Sequence, residues 1–435
     1  MLLVYTTHIT ERLQYAVDTL FNSVAKLSFQ LTADKQFYIE SDAVVKINYS
    51  AEKISDHELW IQPHSLLFEN DIRPQKTDCY EWNNLKAFFK TEGDIPFDVF
   101  AASFYLISRY EEYLPHSLDE YGRYAHSNSL AFKENFLHLP LVNLWMKELL
   151  KLLKQKFPQL QAPNSQFHFL PTYDIDIAYC YLHKPIINNI AGFFKEIFTA
   201  KWKKALERTG VLLMEMHDPF VTYEWLDAMH EICNLQPVYF FLLAEQRKLY
   251  DKNINPHNKY LRRLINWNAR KYLTGIHPSW QSGDDSAILK KEIALLGKII
   301  NQPITKSRQH YIRMTLPYTY RLLIDNGIKE DYSMGYGSIN GFRASVASSF
   351  FWYNLEKEEQ TDLRIHPFCF MDANSFYEQK QSSQQTLKEL MHYLLVCKEV
   401  NGTLITIWHN NFLGTATAFA GWKEMYEQFI AQVQQ

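Results

Sequence analysis

The chain has 435 residues, of which 47% are hydrophobic, 15% aromatic and 21% charged. That length exceeds what one ordinary hydrophobic core supports, so we expect two domains. The formal net charge of −3 argues against a protein that binds nucleic acid and against attraction to an anionic membrane.

Cysteine usage and apolar segments bear on the compartment. The five cysteines form no closely spaced pair, which is typical of buried thiols in a reducing compartment. The first residues contain no basic region of the kind that begins a signal peptide, and no apolar run approaches the length of a transmembrane helix. We therefore expect a cytoplasmic protein without a membrane span. The cysteines are Cys79, Cys180, Cys233, Cys369 and Cys397.

The segment 154–164 predicts a domain boundary. It contains two prolines and little periodicity, so we expect a domain of residues 1–160 and a second of residues 165–435. In the first domain, short alternating runs predict strands and apolar residues at helical spacing predict helices, which together indicate a smaller α+β fold. The predicted strands are 29–39, 42–49 and the start of 59–68. One predicted helix begins at residue 97, and a second spans residues 139–153.

Strand-like runs alternate with helical patterns after the boundary. This alternation predicts a parallel α/β architecture, most simply an irregular seven-stranded (β/α) barrel. The predicted strands are 167–172, 237–243, 271–276, 304–311, 327–334, 363–371 and 402–408, and the clearest helices are 218–233, 284–300, 315–326 and 383–400.

Two aspartates, Asp174 and Asp176, follow one of these apolar strands. In an extended chain, residues two apart point the same way. Carboxylates so close repel one another unless a proton or a cation lies between them, and a metal ion resolves the conflict. A helix cap would explain one aspartate but not both, so the pair indicates a functional site.

Three histidines and two arginines are candidates for the same site. His277 and His409 each end a predicted strand, where an α/β barrel assembles its active site, and His409 is suited to proton donation near neutral pH. The alternative for His409 is a buried imidazole bonded to a neighbouring asparagine. His310 lies beside Arg308 near a strand end, in a stretch that is equally consistent with a polar sheet edge. Arg343 lies in a loop-like stretch and is a candidate partner either for a site carboxylate or for a structural ion pair.

These segments together resemble the polysaccharide deacetylase superfamily, also called the NodB-homology or family-four carbohydrate esterases. The resemblance covers about residues 167–422 and rests on the ordered segments 172–176, 277–281, 307–310 and 402–409. It implies Asp174 as the general base, Asp176 and His277 as ligands of a divalent metal, most simply zinc, and His409 as the general acid. Residues 97–123 are similar to an uncharacterised domain that precedes deacetylase-like domains, which implies no chemistry.

The second motif departs from that pattern. Gln281 stands where the family has its second histidine, and Ile175 separates the two aspartates. A zinc site ordinarily uses three protein ligands, so we hypothesise that His310 supplies the missing imidazole. Either Arg308 or Arg343 is then expected to hold Asp174 in its ionised form.

The resemblance implies a metal-dependent hydrolase that removes N- or O-acetyl groups from a sugar or polysaccharide precursor. Trp280, Tyr336 and Trp408 are candidates for a wall on which sugar rings stack. Two alternatives stay open. The first is a glycosyltransferase in which residues 174–176 form a DxD motif. The second is a carbohydrate-binding barrel that has lost catalysis together with the motif histidine.

Overall fold

The computed structural model of the protein describes residues 2–161, 165–247 and 250–435, so the last three residues of the predicted boundary segment 154–164 lie outside the described residues. The described part of the chain is a mixed α/β structure with a four-stranded sheet, a nine-stranded sheet and a two-stranded hairpin. None of its helices is long and apolar enough to cross a membrane.

The N-terminal part of the chain contains the smaller sheet. Its strands are β1 (Leu2–Thr6), β2 (Phe29–Thr32), β3 (Val45–Tyr49) and β4 (Leu59–Ile61), followed by the hairpin strands β5 (Tyr80–Trp82) and β6 (Leu85–Ala87). The first four strands are parallel and lie in the order β2-β1-β3-β4. The helices of this region are α1 (Glu11–Asp18), α2 (Lys35–Glu40), α3 (Val99–Ile107), α4 (Leu130–Lys133) and α5 (Leu141–Lys156).

Two elements of this region differ from the prediction. Residues 35–40 form helix α2 and do not continue the predicted strand 29–39, because the side chain of Asp34 accepts a hydrogen bond from the N–H of Phe37 and caps a helix. The central strand β1 has no counterpart among the predicted strands. It is buried along its whole length, so its sequence is a continuous apolar run without the alternation of a half-buried strand.

The C-terminal part of the chain forms the larger sheet. Its strands are β7 (His168–Ile175), β8 (Val238–Leu242), β9 (Leu273–His277), β10 (Lys306–Ser307), β11 (Glu330–Asp331), β12 (Phe350–Asn354), β13 (Glu359–Ile365), β14 (Phe370–Met371) and β15 (Thr403–His409). They lie in the order β12-β13-β11-β10-β9-β8-β7-β15-β14. All neighbours are parallel except β12 and β13.

Within residues 165–247 and 250–435, eight α-helices accompany the larger sheet. They are α6 (Ile186–Phe198), α7 (Trp202–Leu212), α8 (Tyr223–Ile232), α9 (Lys259–Ala269), α10 (Ser286–Ile300), α11 (Tyr318–Asp325), α12 (Ser383–Glu399) and α13 (Trp422–Val433). Helices α8, α10, α11 and α12 overlap the four helices read from the sequence. Each of the seven predicted strands also overlaps a strand, and the predicted strand 363–371 is divided between β13 and β14. Closure of this sheet into a barrel stays a prediction.

The two sheets share one hydrophobic core. A single contiguous cluster of buried apolar side chains runs from the N-terminal sheet to α13. Polar contacts also join the two parts: Tyr15 donates a hydrogen bond to the carbonyl of Phe351 at 2.8 Å, and Arg12 forms an ion pair with Glu358. The predicted division at residues 154–164 therefore separates regions that pack tightly on each other.

Candidate active site

The carboxyl ends of three parallel strands meet at one edge of the larger sheet. Strand β7 carries Asp174 and is followed directly by Asp176, β9 ends at His277 and β15 ends at His409. His409 lies opposite Asp174 in the pairing of β15 with β7, and β8 alone separates β7 from β9. Because the strands are parallel, the side chains at their ends converge.

Asp176 lies at the centre of three imidazoles. Its Oδ1 is 3.2 Å from Nε2 of His277, and its Oδ2 is 3.4 Å from Nε2 of His310 and 3.7 Å from Nε2 of His409. Burial acts to raise the pKa of Asp176, but the charge of His310 and its contact with the carboxylate outweigh it and hold that pKa well below its ordinary value. Asp176 is therefore an anion at neutral pH.

Each of these imidazoles is oriented through its other ring nitrogen. Nδ1 of His277 contacts the carbonyl oxygen of Arg308 at 2.6 Å. Nδ1 of His310 contacts Asp251 Oδ1 at 3.0 Å, and Nδ1 of His409 contacts Asp372 Oδ1 at 2.6 Å. A carbonyl or carboxylate at Nδ1 fixes both the tautomer and the direction of Nε2, as outer partners do in metal sites.

The geometry of His277 and Asp176 suits a cation between them. A carbonyl oxygen can only accept a hydrogen bond, so Nδ1 of His277 carries the proton and Nε2 of the neutral ring has a lone pair. That lone pair faces Asp176 Oδ1, which is buried and receives no hydrogen bond. The two groups repel unless the ring takes up a second proton or a cation lies between them. Ligand atoms of Asp176, His277 and His310 all lie within 4.8 Å of one another, and this donor set of nitrogen and oxygen fits a divalent metal such as zinc.

The protein compensates the charge of Asp176 with raised histidine pKa values. Burial acts to lower the pKa of His310, but Asp176 and Asp251 raise it to about 9. Burial likewise opposes protonation of His409, but Asp372 and the nearby carboxylates raise its pKa to about 10. The cluster is thus built around one anion that attracts positive charge, whether from protons or from a metal.

Asp174 is held by Arg308. Nη1 of Arg308 donates to Asp174 Oδ1 at 2.9 Å and to the Thr172 hydroxyl at 2.7 Å, while its Nε donates to the carbonyl of Tyr332 at 3.0 Å. The other oxygen, Asp174 Oδ2, lies 3.9 Å from Nε2 of His277. One oxygen of this buried carboxylate is therefore bonded to the guanidinium of Arg308, and the other faces the imidazole cluster.

Arg343 and Gln281 lie outside this group. Arg343 forms a bidentate pair with Glu112, with distances of 2.8 Å and 2.5 Å, and donates to the carbonyl of Gly335. Of the two arginines expected to hold Asp174, Arg308 makes that contact and Arg343 forms the alternative, a structural ion pair, because Glu112 engages its Nε and Nη2. Gln281 donates to the carbonyl of Gln246, whereas His310 lies beside Asp176.

The charged cluster lines a cavity of about 730 Å³. Five phenyl or phenol rings from different parts of the chain border it, and three of them, Tyr121, Tyr250 and Tyr311, lie against one another. Of the residues expected to form a stacking wall, Trp280 packs behind these rings, with its centroid 4.2 Å from that of Tyr250. Trp408 is fully buried, and its indole packs on other core rings, so it does not line the cavity.

Tyr336, the third residue expected in the wall, is also buried. Its ring lies under the guanidinium of Arg343, and its hydroxyl accepts a hydrogen bond from Arg109. The expected wall is therefore replaced by tyrosines, one of which comes from the N-terminal region.

Sequence reasoning missed several residues of this site, among them Asp251, Asp372 and Tyr121. Asp372 directly follows a predicted strand, so its position carried the same signal as Asp176. Asp251 lies in an irregular segment, and nothing near it in the sequence indicates contact with His310. Tyr121 comes from the N-terminal region, for which the sequence implied no chemistry.

Comparisons with known proteins give distant matches. Residues 2–158 match a family of unknown function (DUF7033). No curated protein matches the chain.

Solved structures that are similar to the chain include three polysaccharide deacetylases or candidate deacetylases. A candidate polysaccharide deacetylase from Mycobacterium smegmatis has 13% identity and a TM-score of 0.40, covering 63% of this chain and 86% of that one. A candidate polysaccharide deacetylase from Pseudomonas aeruginosa PAO1 has 14% identity and a TM-score of 0.37, covering 62% and 84%. A polysaccharide deacetylase from Bacillus cereus has 8% identity and a TM-score of 0.31, covering 62% and 88%.

Proposed function

We propose that this protein is a metal-dependent hydrolase that removes an acyl group, such as acetyl, from a nitrogen or oxygen of a carbohydrate. One observation carries the proposal. The buried oxygen Asp176 Oδ1 has no hydrogen bond and faces Nε2 of His277, whose Nδ1 is committed to a carbonyl. That arrangement suits a divalent cation.

Asp176, His277 and His310 would hold the metal, with Asp251 and the carbonyl of Arg308 orienting the two imidazoles. These three ligands leave room for water or substrate, as catalytic zinc sites do. When bound, the metal polarises the acyl carbonyl and lowers the pKa of water. Zinc is the proposed metal because two imidazoles and one carboxylate are donors that it favours.

Asp174 is the proposed general base. Its Oδ1 accepts a hydrogen bond from Arg308, which orients the carboxylate, and its Oδ2 faces the cluster. Asp174 takes a proton from the attacking water as the water oxygen bonds to the acyl carbon. The guanidinium of Arg308 is buried and also bonds to Thr172 and Tyr332, so it is a rigid support.

His409 is the proposed general acid. Its Nε2 points to the same cluster from the side opposite His277, and its raised pKa keeps it protonated at neutral pH. His409 gives this proton to the nitrogen or oxygen that leaves as its bond to the acyl carbon breaks. Asp372 holds the ring in place and balances its charge.

A carbohydrate substrate is supported by the tyrosine wall and by the resemblance of the sequence motifs. Tyr121, Tyr250 and Tyr311 present aromatic surface at the border of the charged cluster, and such rings pack against the apolar faces of sugars while their hydroxyls bond to polar groups. The cavity volume of about 730 Å³ lies in the usual range for small-ligand sites.

We also infer that the larger sheet closes as a seven-stranded barrel. The segment between β13 and β14 bonds to strands on both sides: Phe368 N–H donates to the carbonyl of Met334 at 3.1 Å, beyond β11, and Cys369 N–H donates to the carbonyl of Ile405 in β15 at 3.3 Å. Counting 363–371 as one bent strand joins β13 to β14 and closes a ring of seven strands, with the antiparallel strand β12 outside it. The mouth of this ring is the edge that carries the site.

The geometry favours a hydrolase over the two alternatives. In a DxD glycosyltransferase both carboxylates would face the metal and nucleotide, whereas Asp174 is bonded to Arg308. A binding protein that lost its metal with the motif histidine is disfavoured because His310 restores a third donor.

The test is the metal content of protein purified without chelators, by elemental analysis, for wild type, Asp176→Asn, His277→Ala and His310→Ala. We expect about one divalent ion per chain in the wild type and loss in all three variants. His257→Ala is the matched control, because this exposed histidine lies away from the cluster and pairs with Glu245.

The second arm of the test is release of acetate from N- and O-acetylated sugars. We expect turnover by metal-loaded wild type and none by Asp174→Asn that still binds metal. Wild type that binds no metal after loading, or Asp174→Asn that turns over like wild type, would contradict the proposal.

A further inference from the structure

Helices α6 and α7 form a hairpin with its apolar side chains on the outside. The hairpin follows β7 by about ten residues. Ile186 is 78% exposed, Phe198 86% and Leu206 72%. Such large apolar side chains are normally buried, and a contiguous exposed set marks an interaction surface. The exposed apolar residues of the hairpin are Ile186, Ile187, Ile190, Phe194, Phe198, Trp202, Leu206, Leu212, Leu213 and Met214.

The contact between the two helices is polar. Arg208 of α7 forms a bidentate pair with Glu196 of α6 and donates to Asn189 Oδ1 at 2.9 Å. Gly192 lies against this guanidinium, where a Cβ atom would come within 2.6 Å of it. An ordinary helix pair buries its apolar stripes between the two helices. Here polar groups lie between the helices, and the apolar stripes face outward.

The hairpin is fixed to the body of the protein at its base. Both carboxylate oxygens of Asp218 accept hydrogen bonds from the backbone N–H groups of Cys180, Tyr181 and Leu182, at 2.8 to 2.9 Å. The Tyr181 hydroxyl donates to Glu207 of α7 at 2.7 Å. These contacts fix the direction in which the apolar stripes face. The hydrogen bond from Tyr181 also holds the Glu207 carboxylate on the inner side of the hairpin.

The charge on the outer surface of the hairpin is positive. Four lysines are exposed there, whereas Glu196 and Glu207 are engaged inside and Glu215 is the exposed acidic residue of the segment 184–216. Trp202 lies among three of the lysines in sequence. Apolar side chains flanked by lysines and a tryptophan are typical of helices that lie in a membrane interface. The four lysines are Lys195, Lys201, Lys203 and Lys204.

We propose that the α6–α7 hairpin binds the surface of an anionic lipid bilayer. The helices would lie in the plane of the interface, with the stripe of Ile190, Phe194 and Phe198 in the acyl boundary and the lysines among the headgroups. Charge complementarity favours an anionic bilayer over a second copy of the chain. The second copy has a net charge of −3, but its own hairpin surface is also positive and would repel the first. The net charge did not indicate this positive patch, because it is summed over all 435 residues.

The hairpin lies at the same rim as the candidate active site. Lys184 and Pro185, just before α6, border a groove of about 690 Å³ that Lys252 also lines. Lys252 lines the cavity of the charged cluster as well. Membrane binding would thus bring that cavity close to the bilayer surface. The inference goes beyond the proposed hydrolase activity and does not depend on it.

The test is flotation of the full-length protein with vesicles of phosphatidylglycerol and phosphatidylcholine, beside vesicles of phosphatidylcholine alone. We expect binding to the anionic vesicles that weakens as salt is raised. Phe194→Ser/Phe198→Ser is expected to weaken binding at least about tenfold, and Lys201→Gln/Lys203→Gln/Lys204→Gln about a hundredfold.

Ile232→Ser/Leu395→Ser is the matched control, because both side chains are exposed apolar residues outside the hairpin. It is expected to bind like wild type. Circular dichroism checks that each variant is folded. Absence of binding to anionic vesicles, or equal loss in the control, would overturn the proposal. A second outcome would also overturn it. If light scattering shows that wild type is a dimer, and Phe194→Ser/Phe198→Ser is a monomer that still binds vesicles like wild type, then a second copy of the chain covers the stripe.

Discussion

Asp372 holds His409 at two points. Its Oδ2 accepts a hydrogen bond from the backbone N–H of His409 and its Oδ1 contacts Nδ1 of the ring, both at 2.6 Å. Asp372 is fully buried, so these bonds operate in a medium of low dielectric constant, where they are strong. The carboxylate therefore sets the direction of Nε2 and supplies the negative charge that favours the imidazolium.

Asp372→Asn is expected to lower kcat about a hundredfold and to leave KM and metal content nearly unchanged. The amide preserves the shape of the side chain but removes the charge that balances His409. Steady-state kinetics on the acylated sugar that the wild type hydrolyses, with elemental analysis of the same samples, measures both quantities. Asp362→Asn is the control, because Asp362 is exposed on β13.

The double variant with His409→Gln separates positioning from a general loss of stability. If Asp372 acts through His409, adding Asp372→Asn to His409→Gln costs little further activity. Additive losses would show that Asp372 supports the site by another route.

Asp251→Asn is expected to weaken metal affinity about 10- to 100-fold without abolishing it. Asp251 Oδ1 lies 3.0 Å from Nδ1 of His310 and accepts from the N–H of Trp280, so it orients a proposed ligand without being one. Competition with a chelating dye measures the affinity, and Asp325→Asn at an exposed helix end serves as the control. Unchanged affinity would remove Asp251 from the metal site.

The sequence predicted the parts of the site that depend on local pattern. An apolar run followed by an ionisable residue located Asp174, Asp176, His277 and His409, because strand ends and site residues coincide in parallel α/β folds. Asp251 was not predicted, because its partner His310 lies 59 residues away in the sequence and no local pattern indicates such a contact.

Arg308 and Arg343 illustrate the same limit. Both lie in similar polar stretches, and their sequence contexts did not distinguish which one meets Asp174. The difference is tertiary, because Glu112 from the N-terminal region occupies Arg343. Helix α6 was also not predicted, although its apolar spacing is regular, and its stripe faces away from the core.

The N-terminal region contributes to the wall of the cavity through Tyr121. The Tyr121 ring lies 5.3 Å from the Tyr311 ring and 4.7 Å from the guanidinium of Arg123, which itself donates to the carbonyl of Tyr311 at 2.7 Å. Tyr121→Ala is expected to raise KM about three- to tenfold with little change in kcat. Tyr318→Ala, at an exposed tyrosine, is the control. A fall in kcat alone would place Tyr121 outside the substrate wall.

Glu112 makes stability depend on pH. This buried carboxylate pairs with the neighbouring Arg109 and, across the two regions of the chain, with Arg343. Burial acts to raise the pKa of Glu112, but the two arginines outweigh it and lower the pKa to about 2. Because the folded pKa lies below the unfolded one, the stabilisation is present above about pH 4.5 and is lost as pH falls towards 2.

We expect this pair to contribute about 3 kcal/mol to the free energy of unfolding at neutral pH. Urea unfolding of wild type and Glu112→Gln at several pH values between 2 and 7 measures it. The glutamine variant should be less stable at neutral pH, because it leaves buried guanidinium charge without a counter-charge. The difference from wild type should shrink progressively as pH falls from 4.5 towards 2. Glu92→Gln, at an exposed carboxyl, should track wild type throughout. Parallel curves for wild type and Glu112→Gln from pH 7 to pH 2 would mean that the pKa of Glu112 is the same in the folded and unfolded chains.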